Sequence, residues 1–187
     1  MISSSQAGFT VWFTGMAGSG KSTIAQGLSN RLKRLGKLPE VLDGAEAETM
    51  LGVGRAQTKD DRNAEARKLA WVCKMITRSG GMVLQSAIDS PYRETRDEAR
   101  RQINRFVEVF VDCPTDVLIE RDSSGMYKKA LAGEIPHFTG VSDPYEEPLA
   151  PEVVVDSSAE AIDSSLDKIV TKLRELGYLD GSGSVAA

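Results

Sequence analysis

The sequence has few of the residues that usually build metal centres or disulfide frameworks. Two cysteines, Cys73 and Cys113, stand in a helical pattern and after a strand-like run, and His137 is the single histidine. Their spacing matches neither a zinc site nor a disulfide framework. We therefore expect two ordinary buried thiols, as in a protein of a reducing, cytoplasmic compartment, and a loop histidine without a catalytic role.

The sequence also lacks an excess of positive charge and any long apolar run. Lys and Arg total 23 against 27 for Asp and Glu, which gives a net charge of -4. A nucleic-acid partner is not expected, because such proteins carry a basic face. No apolar run approaches the roughly 20 residues of a membrane span, and residues 1–6 contain no basic residue of the kind that opens a signal peptide. We therefore expect small-molecule partners, no membrane association and a cytoplasmic location.

Segments with strand periodicity alternate along the chain with segments of helical periodicity. The strand-like runs span residues 8–14, 38–42, 82–88, 106–111 and 152–155. The helical patterns span 22–35, 60–78, 91–104, 115–122, 125–132 and 159–176, with irregular stretches expected over 45–58 and 133–151. This alternation predicts an α/β domain in which a five-stranded parallel sheet carries helices on both faces. We assign residues 1–180 to a single domain and residues 181–187 to a flexible Gly/Ser tail.

A glycine-rich turn between the first strand and the first helix matches G-x-x-x-x-G-K-[ST], the phosphate-binding loop of P-loop proteins. Glycine lets backbone N–H groups converge on phosphate oxygens, and a helix N-terminus adds positive potential. The lysine of such a loop neutralises the β- and γ-phosphates, and the hydroxyl that follows binds Mg²⁺. The motif therefore predicts a nucleotide and Mg²⁺ site formed by Gly15, Gly18, Ser19, Gly20, Lys21, Ser22 and Thr23.

Further segments follow this loop in a fixed order: Leu42-Asp43-Gly44, Asp61-Arg62, Ser90-Pro91-Tyr92-Arg93, Arg121-Asp122, Gly125-Met126-Tyr127-Lys128-Lys129-Ala130, Gly133-Glu134-Ile135, Phe138-Thr139-Gly140 and Pro144-Tyr145-Glu146. In order and spacing they resemble the adenylylsulfate kinase family from about residue 8 to residue 178. The resemblance implies a P-loop NTPase fold with ATP and Mg²⁺ as cofactors. It also implies transfer of the γ-phosphate to the 3′-hydroxyl of adenylyl sulfate, a step of sulfate activation, by a protein that is usually a homodimer.

The resemblance implies two further residues on the donor side. Asp43 matches an aspartate near the metal and the attacking hydroxyl, where a carboxylate organises Mg²⁺ and its water or accepts the proton. We therefore group Asp43 with Lys21 as catalytic residues, and with Ser22 as metal ligands. Arg121 matches the arginine that lies over the adenine of ATP.

Five residues match the acceptor side of the family. Arg62 matches an arginine that holds the anionic group of the acceptor, because a forked donor suits phosphate or sulfate oxygens. Ser90 matches the loop that contacts the acceptor, and Phe138 matches the aromatic that stacks on its adenine. Lys128 and Lys129 match a basic pair, of which one is expected to point at the nucleotides and the other at solvent.

Departures from the family pattern cluster on the acceptor side, at Ala45, Glu46, Glu48, Ala56, Gln57, Thr58, Glu65 and Asp89. They remove an aspartate and one aromatic clamp, and they replace an arginine with Glu48. The new carboxylates repel an anionic acceptor. Three interpretations stay open: an adenylylsulfate kinase proper, a kinase of the same fold for another hydroxyl acceptor, and a non-catalytic ATP-binding regulatory domain.

Overall fold

The structure is a computed structural model that describes residues 8–54 and 58–179. Its strands are β1 (Phe9–Thr14), β2 (Pro39–Leu42), β3 (Met82–Gln85), β4 (Phe106–Asp112) and β5 (Val153–Asp156). They form a five-stranded sheet in the order β2-β3-β1-β4-β5, and every neighbouring pair is parallel. The expected α/β fold is confirmed, and β1 lies at the centre of the sheet. The loops that follow the strands therefore meet at one edge, where ligands bind in such sheets.

Helices cover both faces of the sheet. They are α1 (Lys21–Arg34), α2 (Gly44–Leu51), α3 (Lys59–Arg78), α4 (Arg93–Gln102), α5 (Thr115–Arg121), α6 (Met126–Leu131) and α7 (Ile162–Glu175). Apolar residues of α1 and α7 share one buried cluster with the sheet, and those of α3 and α4 share another. A third, smaller cluster joins α5 and α6 to the loop that follows them. Within the described ranges, every helix is too short or too polar to cross a membrane.

The central strand shows why this sequence forms a sheet with two covered faces. Phe9, Val11 and Phe13 pack with α1 and α7, whereas Trp12 packs with α3 and α4. Successive side chains of a strand point to opposite faces, so both faces of β1 must be apolar or satisfied. The polar Thr10 is satisfied by Thr77 of α3, whose hydroxyl lies 2.8 Å away.

The prediction of an irregular stretch over 45–58 was wrong, because residues 44–51 form α2. The segment Ala-Glu-Ala-Glu-Thr-Met-Leu is rich in strong helix formers, and Gly52 ends the helix in a left-handed conformation at φ 59°. Other expected elements extend too far: β3 ends at Gln85, and α4 begins at Arg93 instead of Pro91. The last helix begins at Ile162, three residues after the expected position.

The long loop over residues 133–151 is irregular, as expected, apart from an isolated bridge between Thr139 and Asp143. It is tied to the start of α4 at Glu146. The Glu146 amide donates to the carbonyl oxygen of Pro91 at 2.9 Å, and its carboxylate accepts from the amide of Arg93 at 2.9 Å. These bonds fix the second half of the loop against the segment between β3 and α4.

Candidate active site

The phosphate-binding loop connects the central strand to α1 and adopts a backbone that glycine alone tolerates. At Gly15, φ is 152°, and a Cβ atom would lie 2.4 Å from the carbonyl oxygen of Val111. At Gly20, which precedes α1, φ is 99°. The amide of Ser19 donates to the carbonyl oxygen of Met16 at 3.1 Å, which closes the loop. The remaining amides at the start of α1 are free of intrahelical partners and suit an anion.

Two observations indicate that this loop fits a phosphate group. The Ser19 hydroxyl is buried and has no hydrogen-bond partner among the described residues. Such orphaned groups are rare, and a bound ligand commonly satisfies them. Ser22 and Thr23 lie exposed in the first turn of α1, so their hydroxyls are accessible to a ligand or a metal ion. The Ser19, Ser22 and Thr23 hydroxyls therefore lie together at the start of α1, where they fit a phosphate and its metal ion.

Lys21 is buried, and its ammonium group is fully engaged. Its Nζ atom donates to the carbonyl oxygens of Gly15 and Met16 at 2.9 and 3.1 Å. It also forms an ion pair with Asp89, at 2.6 Å from Oδ1. Asp89, which the sequence places on the acceptor side, thus also contacts the donor side. Its ion pair with Lys21 was not predicted from the sequence.

The two predicted metal ligands lie side by side. The Ser22 hydroxyl donates to Asp43 Oδ1 at 3.0 Å. Asp43 occupies the N-cap position of α2, but its side chain makes no capping hydrogen bond there, so the carboxylate is directed to the phosphate loop instead. The described residues contain no group of three or more His, Cys, Asp or Glu side chains that could hold a metal. A pair of protein oxygens suits Mg²⁺, which takes its other ligands from phosphates and water.

Arg121 is the last residue of α5, which packs beside the phosphate loop. Leu118 of the same helix lies 3.7 Å from the position that a Cβ atom of Gly18 would occupy. The exposed Arg121 donates to the carbonyl oxygen of Ser157 at 3.0 Å and lies 3.6 Å from the Cys113 sulfur. The arginine is therefore on the donor side, as expected, and its contact with adenine stays a prediction.

A cleft of about 380 Å³ adjoins the phosphate loop. Its lining includes the predicted acceptor residues Arg62, Ser90 and Phe138. Three carboxylates, those of Glu48, Glu65 and Asp89, also line it, whereas Arg62 is the single arginine or lysine in its described lining. Lys128 and Lys129 are both exposed on α6 and are not part of this lining. The orientation of one of these lysines toward the nucleotides stays a prediction.

Arg62 extends from the first turn of α3 into this cleft. Its two terminal nitrogens donate to Thr139 Oγ1 and to the carbonyl oxygen of His137, and Asp143 lies 3.7 Å away. The Arg62 Nε atom is buried without a partner among the described residues. It is therefore a donor that an anionic acceptor group could satisfy. His137 is an exposed loop residue, as expected, and its backbone is left-handed at φ 57°.

Phe138 is buried in the third apolar cluster and lies edge-on to Tyr127, with ring centroids 4.9 Å apart. The aromatic ring is therefore packed within the protein while it also lines the cleft. The Tyr127 hydroxyl donates to the carbonyl oxygen of Ala17 at 2.7 Å, which ties α6 to the phosphate loop. Burial, and then the negative charge of Asp89, raise the pKa of Tyr127 above its usual range.

Some departures from the family pattern can be located, and others lie outside the described residues. Glu48 is exposed on α2 and Glu65 is buried on α3, and both line the cleft. Thr58 caps α3: its hydroxyl accepts from the amide of Asp61 at 3.1 Å. Ala56, Gln57 and the tail over 181–187 are outside the described part of the chain, as is the side chain of Ala45.

Known proteins resemble this chain in sequence and in fold. A family model described as Adenylylsulphate kinase matches residues 7–156, which is most of the 187-residue chain. This chain belongs to the adenylylsulfate kinase family. The APS kinase of Mycobacterium tuberculosis, solved in complex with AMPPNP and APS, is a structural neighbour of this family member. It is 36% identical with a TM-score of 0.82, and the match covers 90% of this chain and 98% of that one.

Two curated relatives differ in how much of their length this family member covers. An adenylyl-sulfate kinase of Rippkaea orientalis is 49% identical over 174 residues, which cover 93% of this chain and 96% of that protein. A probable bifunctional SAT/APS kinase 2 of Sorangium cellulosum is 52% identical over 181 residues, which cover 97% of this chain but 31% of that protein. The chain therefore spans nearly the whole of one relative and about a third of the other.

Proposed function

We propose that this protein transfers the γ-phosphate of ATP to the 3′-hydroxyl of adenylyl sulfate. The observation that carries the proposal is the juxtaposition of an intact phosphate loop with a cleft that contains Arg62, Ser90 and Phe138. Relatives at 49% identity bear the name adenylyl-sulfate kinase. A solved neighbour of 36% identity was obtained with both AMPPNP and APS.

The chain's own residues supply charge and position in this proposal. Lys21 and the amides of the phosphate loop would hold the β- and γ-phosphates, and Ser22 and Asp43 would hold Mg²⁺. The metal ion would neutralise charge on the phosphates during transfer. Asp43 lies beside Ser22 at the start of α1, and its carboxylate would accept the proton of the attacking hydroxyl.

The organisation of the whole protein is part of the same proposal. We expect residues 1–180 to form one kinase domain, with residues 181–187 as a flexible tail. We expect the protein to be a cytoplasmic homodimer. Sedimentation of the purified chain tests the dimer, and limited proteolysis followed by mass measurement tests the extent of the domain.

Phosphate transfer from labelled ATP to adenylyl sulfate tests the proposed reaction. Lys21→Ala is the control, because it removes the charge that holds the β- and γ-phosphates, and it should abolish transfer. Comparison of the two proteins by circular dichroism checks that the fold is retained. Near-normal transfer by Lys21→Ala would contradict the assignment of the phosphate loop.

A second candidate function is favoured by the charge of the cleft. Glu48, Glu65 and Asp89 surround one arginine there, and like charges oppose an anionic acceptor. This observation fits a kinase that phosphorylates the hydroxyl of a neutral or less anionic molecule. A screen of hydroxyl acceptors with labelled ATP separates the two candidates. Nucleotide binding without transfer to any acceptor would favour a regulatory, non-catalytic domain over both.

A further inference from the structure

The ammonium group of Lys21 has no hydrogen left for a phosphate. A lysine ammonium offers three donors, and here they go to the carbonyl oxygens of Gly15 and Met16 and to Asp89 Oδ1. The Lys21 side chain is 8% exposed and that of Asp89 is 27% exposed, so solvent screens their attraction incompletely. A nucleotide that uses Lys21 must therefore replace one of these three partners.

Asp89 is the partner that can move. The two carbonyl oxygens belong to the backbone of the phosphate loop, and that of Met16 also accepts from the Ser19 amide. The Asp89 carboxylate is on a side chain that can rotate away. It is also the one partner with a full negative charge, and a phosphate oxygen is its chemical equivalent.

The backbone around Asp89 is fixed independently of this ion pair. The next residue, Ser90, has a left-handed backbone at φ 50°, which is unusual for a residue with a side chain. Thr14 Oγ1 donates to the carbonyl oxygen of Asp89 at 2.8 Å, and Trp12 Nε1 donates to Ser90 Oγ at 3.1 Å. Arg96 donates to the carbonyl oxygen of Ser90. The turn therefore directs the Asp89 carboxylate at Lys21, and displacing that carboxylate leaves the turn in place.

We propose that Asp89 is a resident counterion of Lys21, which the β- and γ-phosphates of ATP displace when they bind. Asp89 is thus a positioning residue that acts through Lys21. Asp89 holds the ammonium group at the loop when no nucleotide is bound. It also lowers the affinity for ATP, because the ion pair must be broken before Lys21 can contact the phosphates. The inference deepens the proposed ATP-dependent activity and rests on it.

The displaced carboxylate stays in negative surroundings. Glu48 and Glu65 line the same cleft, and Arg62 is its single arginine or lysine among the described residues. Arg62 already lies near Asp143, at 3.7 Å. Repulsion from the phosphates therefore adds to the loss of the Lys21 contact.

Calorimetric titration with Mg·AMPPNP and with adenosine tests this inference on four proteins. They are the unmodified chain, Asp89→Asn, Asp89→Glu and Glu40→Gln. The Asn variant keeps the shape and removes the charge, and the Glu variant restores the charge. Glu40 is exposed on β2 away from the loop, so Glu40→Gln controls for the change in net charge alone.

Asp89→Asn should bind Mg·AMPPNP about tenfold more tightly than the unmodified chain, because the phosphates no longer compete with a carboxylate. Adenosine should bind both proteins equally, since it carries no phosphate that competes with Asp89 for Lys21. Asp89→Glu and Glu40→Gln should resemble the unmodified chain. In steady-state assays, the KM for ATP should fall in Asp89→Asn and stay unchanged in Asp89→Glu and Glu40→Gln.

Unchanged or weaker binding of Mg·AMPPNP by Asp89→Asn would overturn the inference, as would an equal gain for adenosine. A loss of kcat larger than about tenfold would also overturn it, because Asp89 would then take part in the chemical step. Failure of the unmodified chain to bind Mg·AMPPNP is a different result, since it would refute the proposed ATP site itself.

Discussion

Replacement of Arg96 by methionine should destabilise the fold strongly. Arg96 is 1% exposed, and its Nε atom donates to Glu108 Oε1 at 2.8 Å. Its terminal nitrogens donate to the carbonyl oxygens of Ser90 and Glu146, and its guanidinium group lies 5.8 Å from the ring centroid of Tyr145. The guanidinium group thus joins β4 to the turn at Ser90 and to the loop over residues 133–151.

The size of the effect follows from burial. Arg96→Met removes the charge and every donor but keeps most of the side-chain length. Glu108 then keeps its ion pair with Arg100, at 2.9 Å. The carbonyl oxygens of Ser90 and Glu146 each lose one hydrogen-bond donor. Breaking a buried ion pair by removing one partner costs about 3–5 kcal/mol. For a protein of this size, such a loss lowers Tm by roughly 10 °C.

Arg67→Met is the matched control, since it breaks an ion pair of similar length that is exposed. Arg67 Nε lies 2.9 Å from Glu98 Oε2, with side-chain exposures of 53% and 31%. An exposed pair of this kind contributes about 0–1 kcal/mol. Urea unfolding followed by circular dichroism measures both variants. Equal losses of unfolding free energy in the two variants would refute the argument that burial sets the energy of the Arg96 contacts.

Three further outcomes are expected. Burial raises the pKa of the Cys73 thiol to about 12, so a thiol reagent at pH 8 should label Cys73 after unfolding but not in the native protein. Residues 133–151 should gain amide protection from hydrogen exchange when nucleotide and acceptor bind, because such loops exclude water from phosphoryl transfer. Equal protection with and without the ligands would count against a lid. The double variant Glu48→Arg with Gln57→Phe should bind adenylyl sulfate about tenfold or more tightly in calorimetric titration, because the arginine attracts the anionic acceptor and the ring stacks on its adenine. Micromolar or tighter binding of adenylyl sulfate by the unmodified chain would contradict the idea of a remodelled pocket.

Much of the fold was predictable from the sequence because its patterns are local. The alternation of apolar strands with amphipathic helices requires a covered parallel sheet, and the phosphate loop marks the end of β1. The helix α2 was missed because it is eight residues long and lies between glycines, at Gly44 and Gly52. Glycine predicts a turn more readily than it predicts the start or the end of a short helix.

The candidate site was predictable where one motif supplies several residues. Ser22 ends the phosphate loop and Asp43 ends the next strand-like run along the chain, so both are expected at the same edge of the sheet, where they are in contact. The pairing of Lys21 with Asp89 joins residues that are 68 positions apart. It depends on β3 lying beside β1, and on the left-handed turn at Ser90, and neither of these is visible in a local pattern.

The position of Asp89 couples the two halves of the site. Its carboxylate pairs with Lys21 on the donor side and lines the acceptor cleft. If ATP displaces this carboxylate as proposed, the cleft gains an unpaired negative charge, and an anionic acceptor then binds less tightly with ATP present than without it. Linkage requires the acceptor to weaken ATP binding by the same factor, whereas a neutral acceptor feels little of this charge. Mutual weakening of ATP and acceptor binding therefore distinguishes an anionic acceptor from a neutral one independently of absolute affinity, and Asp89→Asn should abolish it.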